Sequence, residues 1–154
     1  MHFNSIVSNG GRLGWDATLG ENSIIGINSH TGWRSKISPN TVIEHDTIIG
    51  NHTTISSHSL IESYVHIGDR VIISSSSRIC KYAKIHNHVN IFDSVHVGMN
   101  VWLDDFVRIY NNTIIGNNTN IGSRTVVGEL ATIGENTIIW SVHPLVRLLP
   151  LIVV

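Results

Sequence analysis

One histidine of this chain lies between two carboxylates in the sequence. His45 follows Glu44 and precedes Asp46 in the segment IEHDTIIG, residues 43–50. An imidazole can remove a proton from a hydroxyl or an amine, and a neighbouring carboxylate fixes the tautomer of the ring and favours the charged form that results. The chain has ten histidines, and histidine is one of the residues that tolerate tight turns. A solvated turn residue is therefore the alternative interpretation of His45.

The chain around His45 repeats every six residues. Starting from Ile43, steps of six in both directions meet aliphatic residues from Leu13 to Leu151, and only Thr31 interrupts this column. A second column, four residues after the first, holds small or β-branched residues through most of the chain, and eleven of the thirteen glycines directly follow the first column. A fixed short period indicates a solenoid, because a helix repeats near 3.6 residues and an amphipathic strand repeats every two.

This hexad resembles that of the hexapeptide-repeat proteins, and the resemblance covers about residues 11–140. It implies an all-β fold, the left-handed parallel β-helix, in which three hexads make one triangular coil. Residues i and i+18 would then stack about 4.8 Å apart, and the chain would form about eight triangular coils. We expect the aliphatic and small residues to point inward, and the glycines to relax the backbone where the chain bends.

The repeat divides the single expected domain into three parts. Residues 1–12 would form an N-terminal cap, residues 13–140 the β-helix, and residues 141–154 a capping tail. Caps are expected because the open end of a β-helix presents an unpaired sheet edge. The resemblance implies a homotrimer of prisms packed side by side. One predicted outer face is too apolar for solvent and would be the oligomer interface, and it consists of Ile24, Val42, Leu60, Arg78, His96, Ile114 and Thr132.

Stacking at eighteen residues also predicts what surrounds His45. The next two coils would place Glu62, Tyr64, Lys81 and Tyr82 on the same corner. This corner would combine one imidazole, two phenol rings and several charged groups.

The segment IEHDTIIG resembles the one in sugar and sugar-nucleotide acetyltransferases in which a histidine is the general base. The resemblance implies an acyltransferase that moves an acetyl group from acetyl-CoA to a hydroxyl or amine of a sugar or sugar nucleotide. His45 would be the base at an intersubunit groove, with Asp46 and Glu44 as its catalytic carboxylates. The residues expected to bind the substrate are Glu62, Tyr64 and Tyr82.

In that family the acyl donor lies between adjacent prisms near their C-terminal coils. The resemblance therefore implies that Arg124, Trp140 and Arg147 bind acetyl-CoA. A separate corner column with eighteen-residue spacing is rich in basic residues. It could receive the phosphates of coenzyme A or could simply be a solvated edge, and it consists of Arg34, His52, Arg70, His88, Phe106 and Arg124.

A non-catalytic β-helix scaffold, or a transferase homologue that has lost its site, is the alternative function. Related acetyltransferases often carry a second histidine nine residues after the first, where this chain has Thr54, and no long loop interrupts a hexad. The zinc site of γ-class carbonic anhydrases, which share the fold, needs two histidines five residues apart. No such pair exists here, so no metal is expected.

Composition and terminal sequences limit the partners and the compartment. The formal net charge is −1, whereas nucleic-acid binding needs a basic stripe. The apolar C-terminal run is too short to span a membrane, and the N-terminal sequence is too polar for a signal peptide. A single cysteine, Cys80, cannot form an internal disulfide, which is usual in a reducing compartment. We therefore expect a cytoplasmic protein.

Overall fold

The computed structural model describes residues 4–141, which form a parallel β-helix with three flat sides. Each side is a sheet of two-residue strands, and successive strands of the chain belong to successive sheets. Sheet A contains β1 (Ile6–Val7), β4 (Ile24–Ile25), β7 (Val42–Ile43), β10 (Leu60–Ile61), β13 (Arg78–Ile79), β16 (His96–Val97), β19 (Ile114–Ile115) and β22 (Thr132–Ile133). Sheet B contains β2 (Arg12–Leu13), β5 (His30–Thr31), β8 (Ile48–Ile49), β11 (His66–Ile67), β14 (Lys84–Ile85), β17 (Trp102–Leu103), β20 (Asn120–Ile121) and β23 (Ile138–Ile139). Sheet C contains β3 (Thr18–Leu19), β6 (Lys36–Ile37), β9 (Thr54–Ile55), β12 (Ile72–Ile73), β15 (Asn90–Ile91), β18 (Arg108–Ile109) and β21 (Val126–Val127).

The register confirms the eighteen-residue coil. Within sheet A, Leu60 pairs with Val42 on one side and with Arg78 on the other, and every other ladder has the same offset. The fold is the left-handed parallel β-helix that the family resemblance implies. The described strands make seven complete coils and two strands of an eighth, so the prediction of about eight coils was slightly high. Residues 4–141 contain no helix that is long and apolar enough to cross a membrane.

The interior follows the two sequence columns. Ile43, Ile61 and Ile79 are fully buried, as are most members of the aliphatic column. The small polar residues also point inward, and their hydroxyls are satisfied by the next coil. The Ser29 Oγ donates to the Glu44 carbonyl at 2.6 Å and accepts from the Thr47 backbone N–H at 3.0 Å. Buried hydroxyls are tolerated because each finds a hydrogen-bond partner.

The corners of the prism are built differently from the sequence prediction. Within residues 4–141, each corner contains one residue in the left-handed region, with φ between 54° and 71°, and twenty-two of these residues are not glycine. Gly10 is the only glycine with a positive φ in the part of the chain that the structure describes, so the bends there do not depend on the glycines that follow the strands. Those glycines instead allow the backbones of neighbouring coils to approach each other closely. A Cβ on Gly32, for example, would lie 2.5 Å from the Gly50 carbonyl carbon in the next coil.

The predicted domain limits are only partly covered by the structure. The strand Ile6–Val7, within the expected N-terminal cap, already pairs with Ile24–Ile25 of the β-helix. The expected capping tail, residues 141–154, lies outside the described residues except for Ser141. Thr31, which interrupts the aliphatic column, is buried, and its Oγ1 accepts a hydrogen bond from the Gly14 backbone N–H at 3.2 Å.

Candidate functional site

The predicted catalytic residues lie on the edge where sheet A meets sheet B. This edge, called the His45 edge below, is formed in three successive coils by residues 44–46, 62–64 and 80–82. Asp46, Tyr64 and Tyr82 occupy its left-handed positions, with φ values of 55°, 62° and 63°. Such a conformation is common for aspartate but rare for a bulky residue. The two tyrosines are therefore held on the edge by the regular turn of each coil rather than by their own preference.

His45 and Asp46 form a hydrogen-bonded pair on the surface of this edge. The His45 Nδ1 lies 2.8 Å from the Asp46 Oδ2, and both side chains are partly exposed. An ionised carboxylate can only accept, so Nδ1 carries the proton and Nε2 of the neutral ring has a free lone pair. No residue of the described chain bonds to Nε2. The hydrogen bond with His45, opposed by slight desolvation and assisted by the Asn28 amide, lowers the pKa of Asp46.

A continuous aromatic row extends from His45 along the edge. The imidazole and the Tyr64 ring meet edge to face with centroids 5.2 Å apart, and the rings of Tyr64 and Tyr82 stack nearly parallel at 5.2 Å. The two phenol rings are about half exposed. The eighteen-residue spacing thus correctly predicted that Tyr64 and Tyr82 lie on the same corner as His45.

The two carboxylates that flank His45 in sequence have different partners. Asp46 binds the imidazole, whereas Glu44 is directed to the next coil. Its Oε2 accepts from the Ser63 backbone N–H at 3.0 Å and from the Ser63 Oγ at 2.7 Å. Glu44 therefore supports the corner of the following coil and does not contact the ring of His45.

Glu62, predicted as a substrate-binding residue, is buried, and its carboxylate is hydrogen-bonded to other residues of the chain. Only 7% of the residue is exposed. Its Oε1 accepts from Arg78 Nε at 2.8 Å and from Arg78 Nη2, and its Oε2 accepts from the Lys81 backbone N–H at 3.1 Å. Burial by itself would raise the pKa of Glu62, but the hydrogen bonds from Arg78 and Lys81 outweigh it and lower the pKa overall. Glu62 thus fixes the guanidinium of Arg78 beside the His45 edge.

Cys80 belongs to the same group of side chains. Its thiol is buried, and the Sγ lies 3.7 Å from the His96 Nε2. Burial, with the charge of Glu62, raises the pKa of Cys80. The Glu62–Arg78 pair was not predicted from the sequence, because the two residues are sixteen positions apart rather than on the eighteen-residue stacking line.

Replacing Arg78 by glutamine is expected to lower the free energy of unfolding at pH 7 by about 1 to 2 kcal/mol. The substitution leaves the buried Glu62 without a charged partner, and the partial exposure of Arg78 limits the loss. Since the pKa of Glu62 is lowered in the folded chain, the ion pair contributes at neutral pH and its contribution is lost as the pH falls through the acidic range. Urea unfolding at pH 7 and at pH 4 should therefore show a smaller acid-induced loss in R78Q than in the wild type.

The matched control for this prediction is R108Q. Arg108 is an exposed arginine on the outer surface of sheet C, and no ion pair in residues 4–141 engages it. R108Q should keep the acid sensitivity of the wild type. An equal pH dependence in R78Q and the wild type would contradict the assigned role of Glu62.

The residues predicted to bind the acyl donor do not lie near His45 within one chain. Arg124 and Trp140 are both exposed on the edge between sheets B and C. Arg124 is four coils beyond His52, the residue of His45's own coil on that edge, which is about 20 Å along the axis. Arg147 lies outside the described residues. Any contact of Arg124 or Trp140 with a donor at His45 would therefore have to involve a second copy of the chain.

The described residues contain no group of three histidine, cysteine, aspartate or glutamate side chains arranged to hold a metal ion. The site as it stands offers proton transfer through His45, orientation through Asp46, and a flat aromatic surface through Tyr64 and Tyr82. These are the elements of general acid–base chemistry on a bound small molecule.

Residues 94–129 match the family model described as bacterial transferase hexapeptide (six repeats). Residues 94–129 are therefore similar to hexapeptide-repeat proteins, and the coil geometry of the chain is that of the left-handed β-helix fold. No curated protein sequence matches the chain.

Solved structures of similar fold include UDP-N-acetylglucosamine acyltransferases. The LpxA enzyme of Bacteroides fragilis is 15% identical, with a TM-score of 0.65 over 86% of this chain and 66% of that one. LpxA from Acinetobacter baumannii is 17% identical, with a TM-score of 0.62 over 90% and 66%. The Francisella novicida enzyme is 20% identical, with a TM-score of 0.59 over 90% and 62%. The chain thus spans 62 to 66% of the length of these proteins. At 15 to 20% identity, this similarity shows the fold alone.

Proposed function

We propose that the chain is an acyltransferase that moves an acetyl group from acetyl-CoA to a hydroxyl or amine of a sugar or sugar nucleotide. The observation that carries this proposal is the His45–Asp46 pair. It presents an imidazole with a protonated Nδ1, an unoccupied Nε2 and an adjacent aromatic surface. Solved structures of similar fold include UDP-N-acetylglucosamine acyltransferases, which supports the same class of reaction.

In the proposed reaction, His45 Nε2 accepts the proton of the acceptor O–H or N–H as that atom attacks the thioester carbonyl carbon. The new C–O or C–N bond forms while the C–S bond breaks, and the imidazolium returns the proton to the departing thiolate. Asp46 keeps the imidazole in the required tautomer and stabilises the imidazolium through the 2.8 Å hydrogen bond. This arrangement supplies a general base that is regenerated in every cycle.

The acceptor is proposed to bind against the Tyr64–Tyr82 stack. A sugar ring presents C–H groups that pack on a flat aromatic face, and the exposed phenol hydroxyls can hydrogen-bond its hydroxyls. Glu62 contributes by holding Arg78, and Glu44 by holding the corner at Ser63.

We further propose that the active unit is a cytoplasmic homotrimer with the site at a groove between copies. Sheet A supports this because its outer surface carries the half-buried apolar residues Ile24, Val42 and Leu60 immediately beside the His45 edge. In such an assembly, Arg124, Trp140 and Arg147 would contact the acyl donor from a neighbouring copy. The site would then be complete only in the oligomer.

Isothermal titration with acetyl-CoA, followed by a thiol-release assay, tests this function. Binding is expected, together with release of free coenzyme A that depends on an added acceptor such as UDP-N-acetylglucosamine or an amino sugar. The thiol of Cys80 is buried and should add little background to a chromogenic disulfide reagent. Absence of acetyl-CoA binding would favour the non-catalytic scaffold instead.

A further inference from the structure

A concave region lies on the edge between sheets B and C, across sheet B from His45. It is a shallow depression of about 410 Å³ that spans four coils. Its walls combine one indole ring, two imidazoles and one guanidinium with polar corner residues. The members on which the inference depends are Trp33, Asn51, His52, Asp69, Arg70 and His88.

The cationic part of the depression is centred on Arg70. Arg70 is exposed, and no ion pair within residues 4–141 engages its guanidinium. The adjacent carboxylate of Asp69 forms no ion pair with it, and the Asp69 Oδ1 instead accepts from the Asn51 backbone N–H at 2.6 Å and from the Asn51 Nδ2 at 3.2 Å. The guanidinium therefore has no carboxylate partner within residues 4–141 and keeps free N–H donors, which suits a phosphate.

Two imidazoles flank this guanidinium along the edge. His52 precedes Arg70 by one coil and His88 follows it by one coil, and the His88 Nε2 lies 3.4 Å from Arg70 Nη1. Each imidazole is one coil away from Arg70, and successive coils are about 4.8 Å apart. The two rings therefore place hydrogen-bonding groups on either side of the guanidinium. The row thus offers contacts to more than one phosphate oxygen.

The aromatic part lies at the N-terminal end of the same edge. Trp33 meets the ring of His52 edge to face at 5.0 Å and stacks on Trp15 at 6.1 Å. Trp15 is 73% exposed. The guanidinium of Arg34 lies 4.5 Å from the Trp33 ring centroid and is held by Asp16 at 3.4 Å. An exposed indole stack beside a guanidinium offers contacts for a flat base and for its phosphates.

We infer that this depression binds a nucleoside phosphate. The phosphates lie against Arg70, His52 and His88, and the base packs on the Trp15–Trp33 stack. The depression includes residues of the coil that contains His45. Within that coil, His45 and Asn51 are six residues apart, so their backbones are separated by at most about 20 Å. The inference relies on the proposed function only for the source of the nucleotide, since the acyl donor contains adenosine 3′,5′-bisphosphate and a nucleotide sugar contains a nucleoside diphosphate.

Isothermal titration with adenosine 3′,5′-bisphosphate, UDP and inorganic pyrophosphate tests the inference. The wild-type chain should bind at least one nucleotide more tightly than pyrophosphate. R70Q should weaken nucleotide binding about tenfold or more, whereas R108Q on sheet C should leave it within about twofold. W33L should weaken the binding of the nucleotides and leave the binding of pyrophosphate unchanged. Tighter binding of the bisphosphate would assign the site to the donor, and tighter binding of UDP would assign it to the acceptor.

The inference is overturned if neither nucleotide binds more tightly than pyrophosphate, or if R70Q and R108Q behave alike. The variant H45A separates this result from the proposed function. It should lose acetyl transfer and keep nucleotide binding, because His45 lies on the other edge of sheet B. Nucleotide binding by a wild-type chain without transferase activity would refute the proposed function and leave the inference standing.

Discussion

Replacing His45 by alanine is expected to lower kcat for acetyl transfer by about 10² to 10⁴-fold, the usual contribution of a general base. The loss should appear mainly in kcat, because the Tyr64–Tyr82 stack that is proposed to hold the acceptor remains in place. Thiol release from acetyl-CoA in the presence of the acceptor measures the rate. The thermal midpoint of H45A should stay close to that of the wild type, since the His45 side chain is about half exposed.

The matched control is His58→Ala. His58 is also an exposed corner histidine, with a φ of 61°, but it lies on the edge between sheets C and A. It should retain full activity. Asp46→Asn should give an intermediate loss, because an amide cannot stabilise the imidazolium as a carboxylate does. Equal activity of H45A and the wild type would remove His45 from the mechanism and reopen the scaffold alternative.

Replacing Gly32 by alanine is expected to destabilise the chain by about 2 to 3 kcal/mol, within the range for overpacked positions. The new Cβ would lie 2.5 Å from the Gly50 carbonyl carbon and 2.6 Å from the Asn51 backbone nitrogen. Backbone atoms of the next coil cannot rotate away as a flexible side chain would, so the coils must separate locally. Urea or thermal unfolding, followed by the far-ultraviolet signal of the β-sheets, measures the change.

Gly128→Ala provides the matched control, because a Cβ at Gly128 would have no atom within 4 Å. Neither glycine has a positive φ, so the two substitutions differ in space and not in backbone conformation. Gly128→Ala should be neutral or slightly stabilising, since alanine restricts the unfolded chain more than glycine does. If both substitutions had the same effect, close approach of the coils would not be the reason for the glycine at position 32.

The composition of the His45 edge was predictable because it depends only on the repeat. Once each coil has eighteen residues, Tyr64 and Tyr82 must follow Asp46 on the same line. The contacts of individual side chains were not predictable in this way. Glu44 and Asp46 are equivalent neighbours of His45 in sequence, yet Asp46 binds the ring and Glu44 binds Ser63.

The sequence alone determined the period, the two inward-facing columns and the stacking of residues at a spacing of eighteen. It could do so because every hexad has the same length, so a local rule is repeated without interruption and fixes the path of the whole chain. Only the tertiary structure decided that the glycines prevent clashes between coils, that Glu62 pairs with Arg78, and that Arg70 lies unpaired in a depression beside Trp33. These features depend on distances of a few ångströms between atoms of neighbouring coils, and such distances follow from packing and rotamers rather than from sequence spacing.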